Sequence, residues 1–222
     1  MITILKRFTV ALPASSRVII ILAASGWLTC GCRPKQVVAN IPPQNEVICC
    51  FGDSLVAGYG ASKDEAYPAR LEVLTGQTVI NMGSSGDTTK DGVARLKAFK
   101  PGEYGVIIVT LGGNDLLRRV DWEVTEQNLR QIFETLQGTG AAVVFTGVTM
   151  PLTSGRGKRY EALCKEMEVL YIPDLLDGIL FNDDLKSDEI HPNAKGYQRI
   201  AERVAEILRE ENLLSPQAGS ES

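Results

Sequence analysis

Val47-Ile48-Cys49-Cys50-Phe51-Gly52-Asp53-Ser54-Leu55 sets a short apolar run against a Gly-Asp break and a serine, and its reading decides the fold. The run has the length and composition of a strand, expected over residues 46–51, and the break hands the chain to a helix. Ser54 stands at that junction, just ahead of the Gly-rich Val56-Ala57-Gly58-Tyr59-Gly60. A serine hydroxyl is a weak nucleophile at its free pKa, so chemistry there requires a base, an orienter for the base and donors for an oxyanion. Taken alone, Ser54 reads as a helix cap or as a nucleophile.

The same pattern recurs down the chain. Thr78-Val79-Ile80-Asn81-Met82 reads as a second strand ending in Gly83-Ser84-Ser85-Gly86-Asp87-Thr88. Residues 104–111 form the clearest strand, because Val106-Ile107-Ile108-Val109 is continuous rather than alternating, as expected when both faces are covered. It ends in Gly112-Gly113-Asn114-Asp115. Strands over 142–146 and 169–172 follow.

Helices are expected between the strands: 67–74 with Pro68 in its first turn, about 88–100 capped by Asp87 or Thr88, and about 158–167. Another carries Leu129, Ile132, Phe133 and Leu136 at helical spacing. A last one, about 193–211, puts Tyr197, Ile200, Ala201, Val204 and Leu208 on one face. Strands alternating with helices predict an α/β domain, a doubly wound parallel sheet covered on both sides. Ligands of such sheets sit beyond the carboxyl ends of the strands, where three strands here end in small polar motifs.

The chain has 222 residues, enough for one domain with its own core plus appendages. Five of its 23 basic residues precede Glu46 and none of its 27 acids does, so the remainder carries a net charge near minus nine. That balance lacks the electrostatic footprint of a nucleic-acid binder. Residues 1–31 read as an export signal: a basic start, an apolar run from Val18 to Leu28, then small residues. The run is short for a membrane span. Leu28-Thr29-Cys30-Gly31-Cys32 resembles a bacterial lipoprotein box, with Thr29 where that box usually has a branched apolar residue. Cys32 is the expected lipidation site and membrane tether and the cell envelope the expected location, with a plainly cleaved leader or an uncleaved anchor as the alternatives. Residues 32–45, with Pro34, Pro42 and Pro43, read as an extended tether, 46–212 as the folded domain and 213–222 as a disordered tail.

Cys49 and Cys50 are neighbours on a strand and should face opposite sides of the sheet; with Cys164 they read as buried thiols. One histidine and no cysteine pair at ligand spacing argue against a zinc site.

That one histidine, His191, stands before Pro192, where it is open to roles at the surface, at a helix start or as a base. Asp188, three positions earlier, is either an N-cap or a carboxylate that reaches the imidazole in a tight turn and fixes its tautomer. Backbone amides of Ser54 and Gly86 and the side-chain amide of Asn114 supply three oxyanion donors; as isolated residues, Gly86 and Asn114 also read as ordinary turn residues. Leu116, Leu117, Met150 and Leu152 either wall an acyl pocket or serve loop packing. Asp53 has no assigned chemistry and reads as structural at the turn.

Four blocks carry a family resemblance: Gly52-Asp53-Ser54-Leu55, Ser85-Gly86-Asp87-Thr88, Leu111-Gly112-Gly113-Asn114-Asp115 and Asp188-Glu189-Ile190-His191-Pro192. With Ala57-Gly58-Tyr59, Gly92-Val93-Ala94-Arg95-Leu96 and Leu117-Arg118, the chain resembles the SGNH or GDSL hydrolases. The nearest branch is the bacterial acyl-CoA thioesterase I, protease I and lysophospholipase L1 group with related arylesterases. The resemblance implies a flavodoxin-like three-layer α/β/α sandwich with a central parallel sheet of about five strands, and no metal or other cofactor. It also implies Ser54 as nucleophile, His191 as base, Asp188 as its orienter, and Gly86 and Asn114 as oxyanion donors beside the Ser54 amide. Val56 occupies the last position of a G-x-S-x-G elbow, so that motif is absent. The expected activity is hydrolysis of small-molecule or lipid carboxylic esters or thioesters. A carbohydrate O-acetylesterase is an alternative, and a non-catalytic flavodoxin-like lipoprotein that binds a small ligand is a rival of another class.

Overall fold

The computed structural model describes residues 35–149 and 155–214. Five parallel strands form one sheet: β1 Ile48–Gly52, β2 Val79–Gly83, β3 Val106–Thr110, β4 Ala142–Thr146 and β5 Leu170–Ile172, in the order β2-β1-β3-β4-β5. Ile48 pairs with Val79 on one side and with Val106 on the other, and the register runs on to Gly52. Strands β1, β3 and β4 are buried throughout. Their side chains meet helices on both faces, which accounts for their unbroken apolar runs.

Alternation along the strands divides the interior into two cores. On one face, Ile48, Cys50, Ile108 and Val144 pack with α2 (Tyr67–Thr75) and α7 (Ala194–Glu210) through Leu71, Ile200, Val204 and Leu208. On the other, Cys49, Phe51, Ile107, Val109 and Phe145 meet α5 (Trp122–Gln137) and α6 (Arg156–Glu166) through Leu129, Ile132, Phe133 and Leu163. The result is the expected three-layer sandwich. Cys49 and Cys50 lie in opposite cores, and with Cys164 they are free and buried. Burial pushes all three thiols well above their ordinary range, so none is poised to react.

From β1 the chain crosses to β2 at one edge and then returns past β1 to β3. The carboxyl ends of β1 and β3 therefore border the switch point, the crevice where such sheets hold ligands. Each opens into a one-turn helix: α1 Ser54–Ala57 after β1 and α4 Gly113–Leu117 after β3. Both are too short to leave a periodic signal in the sequence. The helix expected to run to about residue 100 is α3, Thr89–Arg95, continued by a 3-10 turn at Leu96–Ala98. That tighter turn delivers Phe99 edge-on to Phe51, with ring centroids 5.0 Å apart.

The segment read as a tether is docked from Gln36 onward. The Gln36 side chain donates to the Tyr171 carbonyl at 3.2 Å and accepts from its amide at 2.9 Å, so one side chain satisfies both polar groups on the free edge of β5. Val38 is buried in the core, and Asn40 donates to the carbonyls of Gln137 and Ala141. Proline and polar content suggested an extended spacer; alternating contacts make it a strap. Leu213, read as the first residue of a tail, is part of the fold instead: it is buried and its amide bonds to the Leu208 carbonyl at 2.8 Å. Residues 1–34 and 215–222, with the leader and Cys32, lie outside the described residues.

A chain that begins at residue 46 exposes the site Val38 fills and unpairs the edge of β5. It is expected to lose about 2–3 kcal/mol of unfolding free energy in urea relative to one that begins at residue 35. A spacer would leave the midpoint unchanged.

Candidate active site

Ser54 is the first residue of α1, and its amide is among the helix-start N–H groups that have no intrahelical acceptor. His191 comes from the other end of the chain, in the loop before α7. That loop is closed by a Ser187 amide bond to the His191 carbonyl at 2.9 Å and by a bridge between Lys186 and Pro192. Asn193 finishes the support: its side chain caps α7 at Lys195 and Gly196 and donates to the carbonyls of Asp184 and Lys186. Ser54 Oγ lies 3.0 Å from His191 Nε2, and His191 Nδ1 lies 2.8 Å from Asp188 Oδ2. The other Asp188 oxygen accepts from the amides of Ile190 and His191, at 2.9 and 2.8 Å, so the carboxylate is held from both sides. Loss of solvent works to raise the Asp188 pKa. Those two amides and the imidazole outweigh it and hold the carboxyl below its ordinary range.

The second expected cluster is drawn to the same place. Gly86 sits at φ +86°, a conformation suited to glycine, and its carbonyl accepts from Arg118 Nη2 at 2.8 Å. The Asn114 side-chain amide donates to the Asp87 carbonyl at 2.9 Å, which joins α4 to the turn containing Gly86, and makes a second, long contact to Asp53 Oδ2 at 3.5 Å. Arg95 pins that turn from below, bonding the Met82 carbonyl and Asp87 Oδ2, both at 2.5 Å, with its guanidinium 4.8 Å from the centre of the Phe51 ring. Asp115 is buried and fully used: it accepts from the Thr89 amide at 2.8 Å and the Thr89 hydroxyl at 2.5 Å, with Thr125 at 3.4 Å. It therefore ties α4 to the start of α3, where Thr88 and Asp91 form a capping box. Arg95, Asp115 and Arg118 lay inside sequence blocks already singled out, but a supporting contact leaves no signature of its own.

Asp53 is the N-cap of α1. Its Oδ1 accepts from the Leu55 amide at 3.0 Å, its Oδ2 is 3.5 Å from Asn114 Nδ2, and only 3 % of the residue is exposed. Burial pushes its carboxyl up to about 7. The Leu55 amide opposes that shift, and Asp87 and Asp115 add to it.

An apolar cleft opens from Ser54 and His191. Leu116 and Leu117 line it as expected, and the structure adds Val148, Leu176, Leu180 and Ile190. The signal for Leu176 and Leu180 was an apolar pair four residues apart just beyond the carboxyl end of β5, the same edge that carries the other motifs. Met150 and Leu152 lie outside the described residues.

Residues 50–199 match the GDSL-like Lipase/Acylhydrolase family. The chain is 33 % identical over 174 residues to the thioesterase 1/protease 1/lysophospholipase L1 of Escherichia coli strain K12, an alignment that covers 74 % of this chain and 84 % of that one. It is 31 % identical over 179 residues to an arylesterase of Vibrio mimicus, covering 74 % and 88 %. The crystal structure of AlinE4, an SGNH-hydrolase family esterase, superposes with a TM-score of 0.60 at 34 % identity, covering 75 % of this chain and 96 % of that one. With the family match at residues 50–199 taking in Ser54, Gly86, Asn114, Asp188 and His191, the chain belongs to the GDSL-like lipase/acylhydrolase family and is an ester-hydrolysing serine hydrolase of the SGNH type.

Proposed function

We propose that Ser54 is the nucleophile, His191 the general base and acid, and Asp188 the residue that orients it. The observation that carries this reading is the unbroken line from Asp188 Oδ2 through His191 to Ser54 Oγ, with steps of 2.8 and 3.0 Å. Because Asp188 accepts the Nδ1 proton, the neutral imidazole presents its Nε2 lone pair to the Ser54 hydroxyl. Ser54 Oγ bonds to the carbonyl carbon as its proton passes to Nε2. The oxyanion so formed is met by the amides of Ser54 and Gly86 and by the Asn114 Nδ2 hydrogen that otherwise makes only the long 3.5 Å contact to Asp53 Oδ2. The imidazolium then protonates the leaving alcohol or thiol. A water deprotonated at Nε2 attacks the acyl-enzyme and frees the acid and Ser54.

The cleft indicates the acyl side. Leu116, Leu117, Val148, Leu176, Leu180 and Ile190 offer an acyl chain apolar contact and a sugar few partners, which favours lipid, aryl or acyl-thioester substrates over O-acetylated carbohydrate. The relatives in Escherichia coli and Vibrio mimicus support the same range. The basic and apolar leader and the box ending at Cys32 support export and a lipid anchor, which would place this activity in the bacterial cell envelope. No helix among the described residues is long and apolar enough to cross a membrane.

Ser54→Ala and His191→Ala are each expected to lower kcat on p-nitrophenyl butyrate by roughly 10⁴-fold or more, with urea midpoints unchanged. Full activity in Ser54→Ala would overturn the assignment. Across p-nitrophenyl esters of increasing length, kcat/KM should rise from acetate toward medium chains, whereas a strict preference for acetate would exclude the acyl-cleft reading.

Asp53 makes no contact in the proton line, and its own titration reads out as stability. Between the ordinary carboxylate range near pH 4 and about 7, the folded chain keeps a proton that the unfolded chain has released, so ionisation of Asp53 destabilises the fold as pH rises through that window. Asp53→Asn keeps an acceptor for the Leu55 amide without the charge. Urea unfolding should show the variant more stable by up to about 4 kcal/mol near pH 8, with the gain vanishing below about pH 4.

A further inference from the structure

Tyr59 takes no part in the mechanism above, yet it touches both halves of the site. Its ring lies against the imidazole of His191, with centroids 4.5 Å apart and planes at 45°. Its amide donates to the Ser54 carbonyl at 3.1 Å, and its carbonyl accepts from the buried Tyr197 hydroxyl of α7 at 2.8 Å. The next residue, Gly60, is pressed onto the histidine loop: a Cβ there would stand 2.0 Å from Ser187 Oγ and 2.8 Å from the Pro192 carbonyl oxygen. Ser187 in turn bonds the His191 carbonyl through its amide, with its hydroxyl 3.3 Å from that same oxygen. The pair Tyr59-Gly60 therefore lies between the turn that carries Ser54 and the loop that carries His191.

Asp188 fixes the imidazole at Nδ1, and Ser54 meets it at Nε2. Both bonds act at the ring nitrogens, and neither restrains the ring from its faces. A ring packed on a face supplies that restraint. The aromatic face also favours the imidazolium that forms when His191 takes the serine proton. Tyr59 is 55 % exposed, so a large aromatic beside His191 remains half in water instead of filling the core. Its hydroxyl has no role in this geometry.

We infer that Tyr59 is a positioning residue: its ring covers one face of the His191 imidazole and holds it in line with Ser54. The inference rests on His191 being the base, and the test keeps the two claims apart.

His191 is the only histidine in the chain, so its ring resonances need no assignment. In the wild-type protein, NMR should show cross-peaks between those protons and the ring protons of Tyr59, and their absence would overturn the contact. Tyr59→Phe keeps the ring and should retain kcat within about twofold, with the His191 signals near their wild-type positions. Tyr59→Leu should lower kcat about 10- to 100-fold while KM for a short p-nitrophenyl ester changes little, the scale expected when a catalytic group is misaligned. It should also shift the His191 signals by removing the ring current. Wild-type kcat in Tyr59→Leu, or a loss in Tyr59→Phe as large as in Tyr59→Leu, would overturn the inference. His191→Ala is the parallel control: if it were active, the mechanism itself would fail, whereas an inactive His191→Ala beside a fully active Tyr59→Leu would sink only the role of Tyr59. Should Tyr59→Leu fail to fold, the wild-type cross-peaks and the Tyr59→Phe rate still decide the matter.

Discussion

The 3.0 Å contact between Ser54 and His191 joins residues 137 positions apart, and the rest of the site depends on the two being held at that distance. Neither end is free to drift. Ser54 is fixed by the end of a buried strand and by an N-cap whose carboxyl is almost wholly enclosed. His191 is fixed by a loop whose own hydrogen bonds close it before α7 begins. What aligns the two frames is the packing of α7 against α2 across one sheet face, with Tyr59-Gly60 as the contact between the loops themselves. A parallel sheet makes this economical, because all five strands point their carboxyl ends the same way and each successive loop arrives at one edge.

Electrostatics under that edge run against intuition. Asp53, Asp87 and Asp115 gather near the site proposed to stabilise negative charge. Their arrangement limits the conflict: Arg95 pairs with Asp87 at 2.5 Å, Asp115 is surrounded by Thr89 and Thr125 donors, and Asp53 is pushed toward its neutral form by burial. The carboxylates serve as ties between segments, where directed hydrogen bonds matter more than net charge.

Much of this was legible in the chain. Continuous apolar runs such as Val106-Ile107-Ile108-Val109 announce a strand buried on both faces, and the Leu129, Ile132, Phe133, Leu136 stripe announces the helix that covers one of them. Ser54, Gly86, Asn114, Asp188 and His191 were legible because they follow such runs or stand in motifs, and the structure brings them to one edge. Contacts without periodicity were not legible. Leu176 and Leu180 left only a single i, i+4 pair in irregular backbone after β5, Arg95 and Arg118 act through carbonyls that carry no sequence identity, and the strap at residues 36–40 alternates too briefly to register as a strand. Proline content there pointed to a spacer, whereas the bonds that dock it come from Gln36 and Asn40.

That strap carries a consequence for the order of assembly. Residues 36–40 are made before any strand of the sheet, yet the groups they hydrogen-bond, at Gln137, Ala141, Glu168 and Tyr171, are made roughly a hundred or more residues later. Contacts of such sequence separation carry a large loop-closure cost and form late. Until they form, the outer edge of β5 presents unpaired backbone groups, the arrangement through which sheets join to other chains. An early segment of the domain thus covers this edge only once β5 has been made, and its docking marks the point at which the edge ceases to be a template for neighbouring chains.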